Sequence, residues 1–167
     1  MHSRRAFFKK IMDYSEQLGP KTAAIRPPWA IAERQFLKKC TLCGMCITHC
    51  PQKILHYSRD TDLALRFYPV MVLDNNSCDF CQRCVIVCPE NALNITEGKQ
   101  CQAHAVLITI CVKQYNQYCT NCLDACPVNA ISEVKDGILI DKTQCLGCGE
   151  CLLACPQQAI SMQKSTL

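Results

Sequence analysis

Cysteine is the residue type in this chain whose number and spacing could do chemistry, with 17 cysteines among 167 residues. Thiolates are ligands for zinc and iron, so clustered cysteines indicate metal-binding segments. Three runs share the spacing Cys-x2-Cys-x2-Cys-x3-Cys-Pro: Cys40, Cys43, Cys46 and Cys50; Cys78, Cys81, Cys84 and Cys88; and Cys145, Cys148, Cys151 and Cys155. A further run, the third in chain order, contains Cys119, Cys122 and Cys126, with Asn116 at the place of its first cysteine, so that the run of Cys145 is the fourth. Cys111, five residues earlier, is the obvious substitute.

The spacing of the complete runs is the ligand pattern of bacterial [4Fe-4S] ferredoxins, in which the cysteine before proline binds the cluster of the other run. This crossing rule predicts four clusters. Their ligands would be Cys40, Cys43, Cys46 and Cys88 for the first; Cys78, Cys81, Cys84 and Cys50 for the second; Cys111, Cys119, Cys122 and Cys155 for the third; and Cys145, Cys148, Cys151 and Cys126 for the fourth. Cys101 remains, either as a buried or idle thiol or as a replacement for Cys111.

Zinc and disulfide bonds are the alternative uses of such cysteines. A zinc ribbon completes one tetrahedral site with two Cys-x2-Cys pairs, so it needs four cysteines where each pair of runs supplies eight. A disulfide framework is disfavoured because 17 is odd and no cleavable signal is expected. Iron-sulfur clusters in a reducing compartment are therefore predicted.

Charge and composition exclude several other functions. Residues 1–39 carry nine of the 18 Lys and Arg and three of the 14 Asp and Glu, while the remaining residues sum to −2. Binding to nucleic acid is disfavoured because the positive charge is confined to one terminal segment. The chain contains no run of about 18 apolar residues, so no membrane span is predicted. No catalytic triad, phosphate-binding glycine loop or acid–base pair stands out, so the chain is not expected to be an enzyme.

The second and fourth runs belong to an internal repeat with an offset of 67 residues, because Val72-Leu73-Asp74 and Leu139-Ile140-Asp141 stand at the same distance before their cysteines. The repeat predicts an α+β fold made of two tandem bacterial-type 2[4Fe-4S] ferredoxin modules. The predicted boundaries are 1–35 for a basic N-terminal tail, 36–98 for the first module and 99–167 for the second. Strands are predicted at 54–57, 68–73, 93–96, 106–110 and 138–141.

The N-terminal tail opens with Ser3-Arg4-Arg5, which looks like a twin-arginine export motif, but charged residues interrupt the apolar region that export would need. The spacing of Phe7, Ile11, Tyr14 and Leu18 instead predicts a short basic amphipathic helix. Its apolar face would be covered by the protein's own ferredoxin body, by a partner protein or by a membrane surface.

The whole chain resembles the NapF family of ferredoxin-type accessory proteins encoded with periplasmic nitrate reductase. The resemblance rests on the order of the four runs and on these features: Ser3-Arg4-Arg5, Ile25-Arg26-Pro27-Pro28-Trp29, Phe36-Leu37 and the gap Cys111-x7-Cys119. It implies a cytoplasmic protein that binds the precursor of the nitrate reductase catalytic subunit and assists its maturation before export. The alternatives are a general electron carrier, which would need an electron-donor protein, and a peripheral subunit of a membrane-bound oxidoreductase.

Overall fold

A computed structural model describes residues 24–98, 101–115, 117–135 and 137–165. The twin-arginine-like motif and the predicted amphipathic helix lie outside these residues. The described helices are short: α1 Glu33–Lys39, α2 Met45–Thr48, α3 Arg83–Ile86, α4 Asn121–Asp124 and α5 Glu150–Ala154, with 3₁₀ turns at Ile95–Glu97 and Val112–Tyr115. The strands are β1 Leu55–Tyr57, β2 Pro69–Met71, β3 Ala103–Leu107, β4 Ile131–Val134, β5 Gly137–Ile140 and β6 Ile160–Lys164.

These strands form three antiparallel pairs. In the first half of the chain β1 pairs with β2, and in the second half β4 pairs with β5. Each of these hairpins joins the end of one cysteine run to the start of the next. The third pair, β3 with β6, connects the two ends of the second half, with Ala103 opposite Lys164. The resulting fold is a mixture of small sheets and one-turn helices, in agreement with the predicted α+β class.

The predicted strands at 54–57, 68–73 and 138–141 are confirmed as β1, β2 and β5, and the strand predicted at 106–110 lies three residues earlier as β3. The strand predicted at 93–96 is wrong. Leu93 forms only an isolated bridge with Ala30. The Asn94 side chain then accepts a hydrogen bond from the Thr96 N–H at 3.1 Å and starts a 3₁₀ turn. An Asn side chain at this position competes with strand pairing by bonding to its local backbone.

Residues shortly before the first cysteine run form part of the first module. The Ile31 N–H donates to the Ala92 carbonyl at 3.2 Å, and the Asn94 N–H donates to the Trp29 carbonyl at 2.8 Å. Trp29 is only 3% exposed, and its ring meets the Phe80 ring edge-on at 5.8 Å between centroids. The described chain from residue 24 onward is therefore packed into the module, and the precise domain boundaries stay a prediction.

The two modules share a contact around the second and fourth runs. The Cys78 N–H donates to the Cys148 carbonyl at 2.8 Å, and Ser77 Oγ donates to Glu150 Oε1 at 2.6 Å. One hydrophobic core contains Leu73 and Cys78 of the first module together with Cys148 of the second. The modules therefore pack directly against each other through the loops that carry the cysteines.

Candidate cluster-binding sites

The structure brings each predicted ligand quartet together around its own cavity. Cys40, Cys43, Cys46 and Cys88 line one; Cys50, Cys78, Cys81 and Cys84 line another; Cys111, Cys119, Cys122 and Cys155 line a third; and Cys126, Cys145, Cys148 and Cys151 line a fourth. Each cavity thus collects three cysteines of one run and the pre-proline cysteine of its neighbour, which is the crossing pattern that the spacing predicts.

Left-handed backbone turns shape the three complete runs. The residue before the second cysteine has a positive φ in every case, at Leu42, Phe80 and Gly147. The residue after that cysteine also does, at Gly44, Gln82 and Gly149. Such turns reverse the chain within a few residues and let successive cysteines face one centre. Side chains other than glycine adopt this conformation at a cost in free energy, so the runs keep a strained backbone where the thiols converge.

Both glycines of the run Cys145 to Cys155 are closely packed. A Cβ atom at Gly147 would lie 2.5 Å from the Ala103 carbonyl oxygen, and one at Gly149 would lie 2.7 Å from Leu73 Cδ1. The second run has Phe80 and Gln82 at the equivalent positions. Both glycines permit the turn, and Gly149 also lets Leu73 of the first module approach the run.

The turn after each closing cysteine is also the same in all four runs. The third residue beyond that cysteine has a positive φ of about 50°: Lys53, Asn91, Asn129 and Gln158. In the second module this turn directs the next backbone N–H at the closing sulfur, with Ala130 donating to Cys126 Sγ at 3.2 Å and Ala159 to Cys155 Sγ at 3.3 Å. Donors of this kind stabilise negative charge on a ligand sulfur.

The incomplete run keeps the local geometry of the others from its second cysteine onward. Cys122 is the second residue of α4, just as Cys46, Cys84 and Cys151 are the second residues of their helices. The 3₁₀ turn Val112–Tyr115 occupies much of the long gap and follows directly on Cys111. The structure therefore places Cys111, and not Cys101, with the thiols of this run.

A buried lysine beside the third quartet was not foreseen from the sequence. Lys113 is 8% exposed, forms an ion pair with Glu133 and lies with its Nζ 5.8 Å from the centre of the Tyr118 ring. The hydrogen bond to Glu133 raises the pKa of Lys113. A charged lysine at this place adds positive charge close to Cys111, and no sequence motif marks it.

Burial governs the acidity of the inner thiols. Loss of contact with water, followed by the influence of neighbouring cysteines, raises the pKa of Cys46, Cys84 and Cys151 to about 12. These thiols hold their protons at neutral pH until a metal displaces them, so cluster insertion must release protons. The first core contains five cysteines among its 16 buried residues, and the smaller core contains two among six. Sulfur is therefore a substantial part of the interior of both modules.

The donor sets and cavities fit four-iron clusters. Within the described ranges, no three His, Cys, Asp or Glu side chains are grouped as a site for one metal ion. Each cavity is lined by four thiols, three from one run and one from its neighbour, and this is the donor set that bacterial ferredoxins use for a four-iron cluster. When bound, each cluster would supply one-electron redox chemistry, with the cysteine quartet holding it and the backbone N–H groups balancing its charge.

Cys101 lines none of the four cavities that hold the quartets. It is 3% exposed, and its N–H donates to the Leu146 carbonyl at 2.8 Å. A hydrogen bond to Cys78, together with burial, holds the pKa of Cys101 well above its usual range. It is a buried thiol, as one of the two sequence-based alternatives expected.

Comparisons with known proteins agree with this geometry. Residues 39–92 match one family described as a 4Fe-4S dicluster domain, and residues 115–160 match a second family with the same description. The chain carries two tandem 4Fe-4S ferredoxin domains. These two segments are therefore ferredoxin-type iron-sulfur domains. None of the helices in the described part of this ferredoxin-type chain is long and apolar enough to cross a membrane.

One curated relative shows similarity over a short stretch. The methylamine utilization ferredoxin-type protein MauM of Methylobacillus flagellatus is 40% identical over 45 residues, which are 27% of this chain. The aligned stretch covers 19% of the relative's length. This match supports the ferredoxin-type assignment and says nothing about the partner of the present chain.

Replacement of Cys111 by serine tests the third site. We expect Cys111→Ser to lower the iron content by about four atoms per chain, because a [4Fe-4S] cluster needs its four thiolates. Iron and acid-labile sulfide measured on the anaerobically purified full chain would show the loss. The matched control is Cys101→Ser, which should retain the full iron content. The opposite pattern would make Cys101 the ligand and Cys111 the spare thiol.

Proposed function

We propose that this ferredoxin-type protein holds four [4Fe-4S] clusters and binds the precursor of a periplasmic nitrate reductase catalytic subunit in the cytoplasm, assisting its maturation before export. The observation that supports the four clusters is the separation of the 16 cysteines into four quartets, each around one cavity. The nature of the partner is inferred from the NapF-like residues outside the cysteine runs.

The segment Ile25-Arg26-Pro27-Pro28-Trp29 supports a partner-binding function for the residues before it. The Met71 N–H donates to the Ile25 carbonyl at 2.7 Å. Burial raises the pKa of the Cys40 thiol, and the positive charge of nearby Arg26 acts in the opposite direction. This segment is therefore held against the first module, beside the first cluster site. Residues 1–23 precede this segment directly in the sequence. A precursor that they bind would therefore be brought close to the first cluster.

The charge of residues 1–23 is the second feature that supports a binding role. They contain Arg4, Arg5, Lys9, Lys10 and Lys21 against Asp13 and Glu16, a net charge of +3. A general electron carrier needs its cluster sites and a docking face, but it has no need for such an extension. We propose that the extension contacts the precursor and that the cluster-bearing modules deliver electrons or cluster chemistry to it.

An anaerobic binding experiment tests the proposal. The cluster-loaded full chain, immobilised, should retain the nitrate reductase precursor, whereas a variant lacking residues 1–23 should lose at least about tenfold in affinity, equal to about 1.4 kcal/mol. The deletion should stop at residue 23, because Arg26 and Trp29 are buried in the first module and their removal would damage the fold. Iron content must be equal in the two proteins.

A charge variant provides the matched control for the deletion. Arg4→Gln with Arg5→Gln keeps the length of the extension and removes two positive charges, so a smaller loss of affinity is expected if charge contributes to binding. Equal binding by the full chain and the shortened chain would contradict a role of the extension. Absence of binding by both, with full iron content, would favour the general electron carrier.

A further inference from the structure

The hairpin of the first module carries an insertion that the hairpin of the second module lacks. Residues 58–68 connect β1 to β2, whereas only residues 135 and 136 connect β4 to β5. Pairing of the two strands needs no more than a short turn, as the second hairpin shows. Binding functions are concentrated in surface loops of this kind, so the insertion at 58–68 is a candidate for a function of its own.

The insertion is held in a defined shape by its own hydrogen bonds. The Asp60 N–H donates to Ser58 Oγ at 3.1 Å, and the Asp62 N–H donates to Asp60 Oδ1 at 3.0 Å. At its end the Phe67 N–H returns to the Ser58 carbonyl at 3.0 Å. Leu65 is only 4% exposed and anchors the middle of the insertion. The exposed side chains of the insertion are therefore presented from a fixed backbone.

The insertion borders a cleft of about 940 Å³, which we call the hairpin cleft. Arg59, Arg66 and Phe67 of the insertion line it, together with Lys53 before β1 and Val70 in β2. Ligand-binding sites in proteins commonly have volumes of about 300–1,000 Å³. The hairpin cleft is therefore large enough to receive several side chains of a bound peptide.

Positive charge and aromatic surface are combined in the hairpin cleft. Lys53, Arg59 and Arg66 are exposed, and Asp74 is the one carboxylate among the described lining residues. Within the described ranges none of the three cations forms an ion pair. The Arg66 guanidinium lies 5.2 Å from the centre of the Phe67 ring, which is itself 55% exposed. This arrangement is complementary to a segment that carries carboxylates next to apolar side chains.

The hairpin cleft lies beside both cluster sites of the first module. Tyr57 lines the cleft, and its Oη occupies the place that a Cβ atom at Gly44 would take. Gly44 directly follows Cys43, an exposed member of the first quartet. Ile54 lines both the hairpin cleft and the cavity that contains Cys50. A protein bound in the cleft would therefore lie close to the first and second cluster sites.

We propose that the hairpin cleft is the docking site for an acidic segment of a partner protein, which it holds beside the two cluster sites of the first module. The N-terminal extension is disfavoured as the occupant, because residues 1–23 carry a net charge of +3 and the cleft is also positive. The inference goes beyond the proposed function, since the described lining lies within residues 53–76 and outside the extension.

Fluorescence anisotropy with the anaerobically purified, cluster-loaded full chain tests the proposal. The probes are a fluorescein-labelled heptapeptide, Glu-Glu-Phe-Glu-Phe-Glu-Glu, and its counterpart with Gln in place of every Glu. The acidic peptide should bind at least about tenfold more tightly than the Gln peptide. Arg59→Glu with Arg66→Glu should weaken binding of the acidic peptide by at least about tenfold, equal to about 1.4 kcal/mol.

The matched control reverses two exposed cations of the second module. Lys135→Glu with Lys142→Glu gives the same change in net charge, and Lys135 lies in the short connection between β4 and β5. It should leave the affinity within about twofold, because salt limits the reach of surface charges to about 10 Å. Four clusters of about −2 each would take the formal charge from +4 to about −4, so the loaded chain has no general attraction for an acidic peptide. Iron content must be equal in all proteins.

Each outcome decides between occupants. Absence of binding by the unaltered chain, or equal losses in the two double variants, would overturn the inference. Tighter binding by a chain that begins at residue 24 would assign the cleft to residues 1–23. A dimer of the unaltered chain that Arg59→Glu with Arg66→Glu abolishes would assign it to a second copy, and both results would overturn the partner assignment. Loss of peptide binding in that variant with undiminished retention of the nitrate reductase precursor would support a cleft that acts independently of the proposed function.

Discussion

Cys148→Ala is expected to lose about four irons per chain and to expose backbone amides in both modules, whereas Cys43→Ala should lose the same amount of iron and affect the first module alone. Both residues are predicted ligands. Cys43 is exposed, but Cys148 lies in the core shared with the first module, and its carbonyl accepts the hydrogen bond of the Cys78 N–H. Loss of the fourth cluster therefore removes a contact on which the second site also depends.

The size of this effect follows from the coupling of metal binding to folding. Structural metal sites contribute on the order of 10 kcal/mol to small domains, which is comparable with the whole stability of a domain. Hydrogen exchange measured by segment on anaerobically purified protein would detect the difference, with the segment around β2 and Cys78 as the decisive region. Cys101→Ser is the control for handling a buried thiol. Identical exchange patterns in the two ligand variants would contradict a structural dependence between the modules.

Cysteine spacing predicts the sites better than it predicts the strands, for a physical reason. A cluster requires four thiolates in one small volume, so the spacing and the crossing rule leave few ways to combine 16 cysteines. The four cavities contain the quartets that these rules predict, including the one with Cys111. Short strands are less constrained, since three to five residues carry little periodicity. The sequence pattern does not predict β4 and β6, and it predicts a strand at 93–96, where the side chain of Asn94 instead caps a 3₁₀ turn.

The duplicated sequence also hides a difference in strand register. In the first hairpin Leu55 is opposite Met71, seven residues before the next run, and in the second Ile131 is opposite Ile140, five residues before the next run. The shift of two residues keeps the same side chains on the buried face. The offset of 67 residues therefore aligns the sequences of β2 and β5, but it does not predict which residues of β1 and β4 pair with them. Long-range contacts such as Cys101 with Met71 are equally invisible to spacing.

Arg26 of the N-terminal motif is packed in a way that the sequence does not predict. Pro27, Pro28 and Trp29 after it predict only a stiff extended stretch with one large ring. In the structure the Arg26 side chain is fully buried and donates to the Glu33 carboxylate at 2.6 and 3.1 Å and to the Pro69 carbonyl at 3.3 Å. Its guanidinium also lies 5.2 Å from the Phe36 ring centre. The motif thus joins residues 24–31 to α1 and β2.

Arg26→Ala is expected to lower the free energy of unfolding of the cluster-loaded chain by about 3 kcal/mol. Removing one partner of a buried, hydrogen-bonded ion pair leaves the other charge poorly compensated, and such changes cost about 3–5 kcal/mol. The lower end of this range of costs applies here. The Glu33 side chain is 19% exposed to solvent, and its carboxylate still forms an ion pair with Lys164 Nζ at 3.3 Å when Arg26 is removed. Anaerobic urea unfolding should show the midpoint falling by about 1–2 M, for a slope of about 2 kcal/mol/M.

Two further variants decide whether the effect comes from this pair. Arg26→Lys keeps the charge but cannot form the paired hydrogen bonds to a carboxylate, so an intermediate loss is expected. Arg59→Ala removes an exposed arginine of the same module and should change the stability by no more than about 0.5 kcal/mol. If Arg26→Ala were as stable as Arg59→Ala, the Arg26–Glu33 pair would contribute nothing to the fold. The Ile25–Trp29 motif would then be explained by contact with a partner, because its burial in the first module would not account for it.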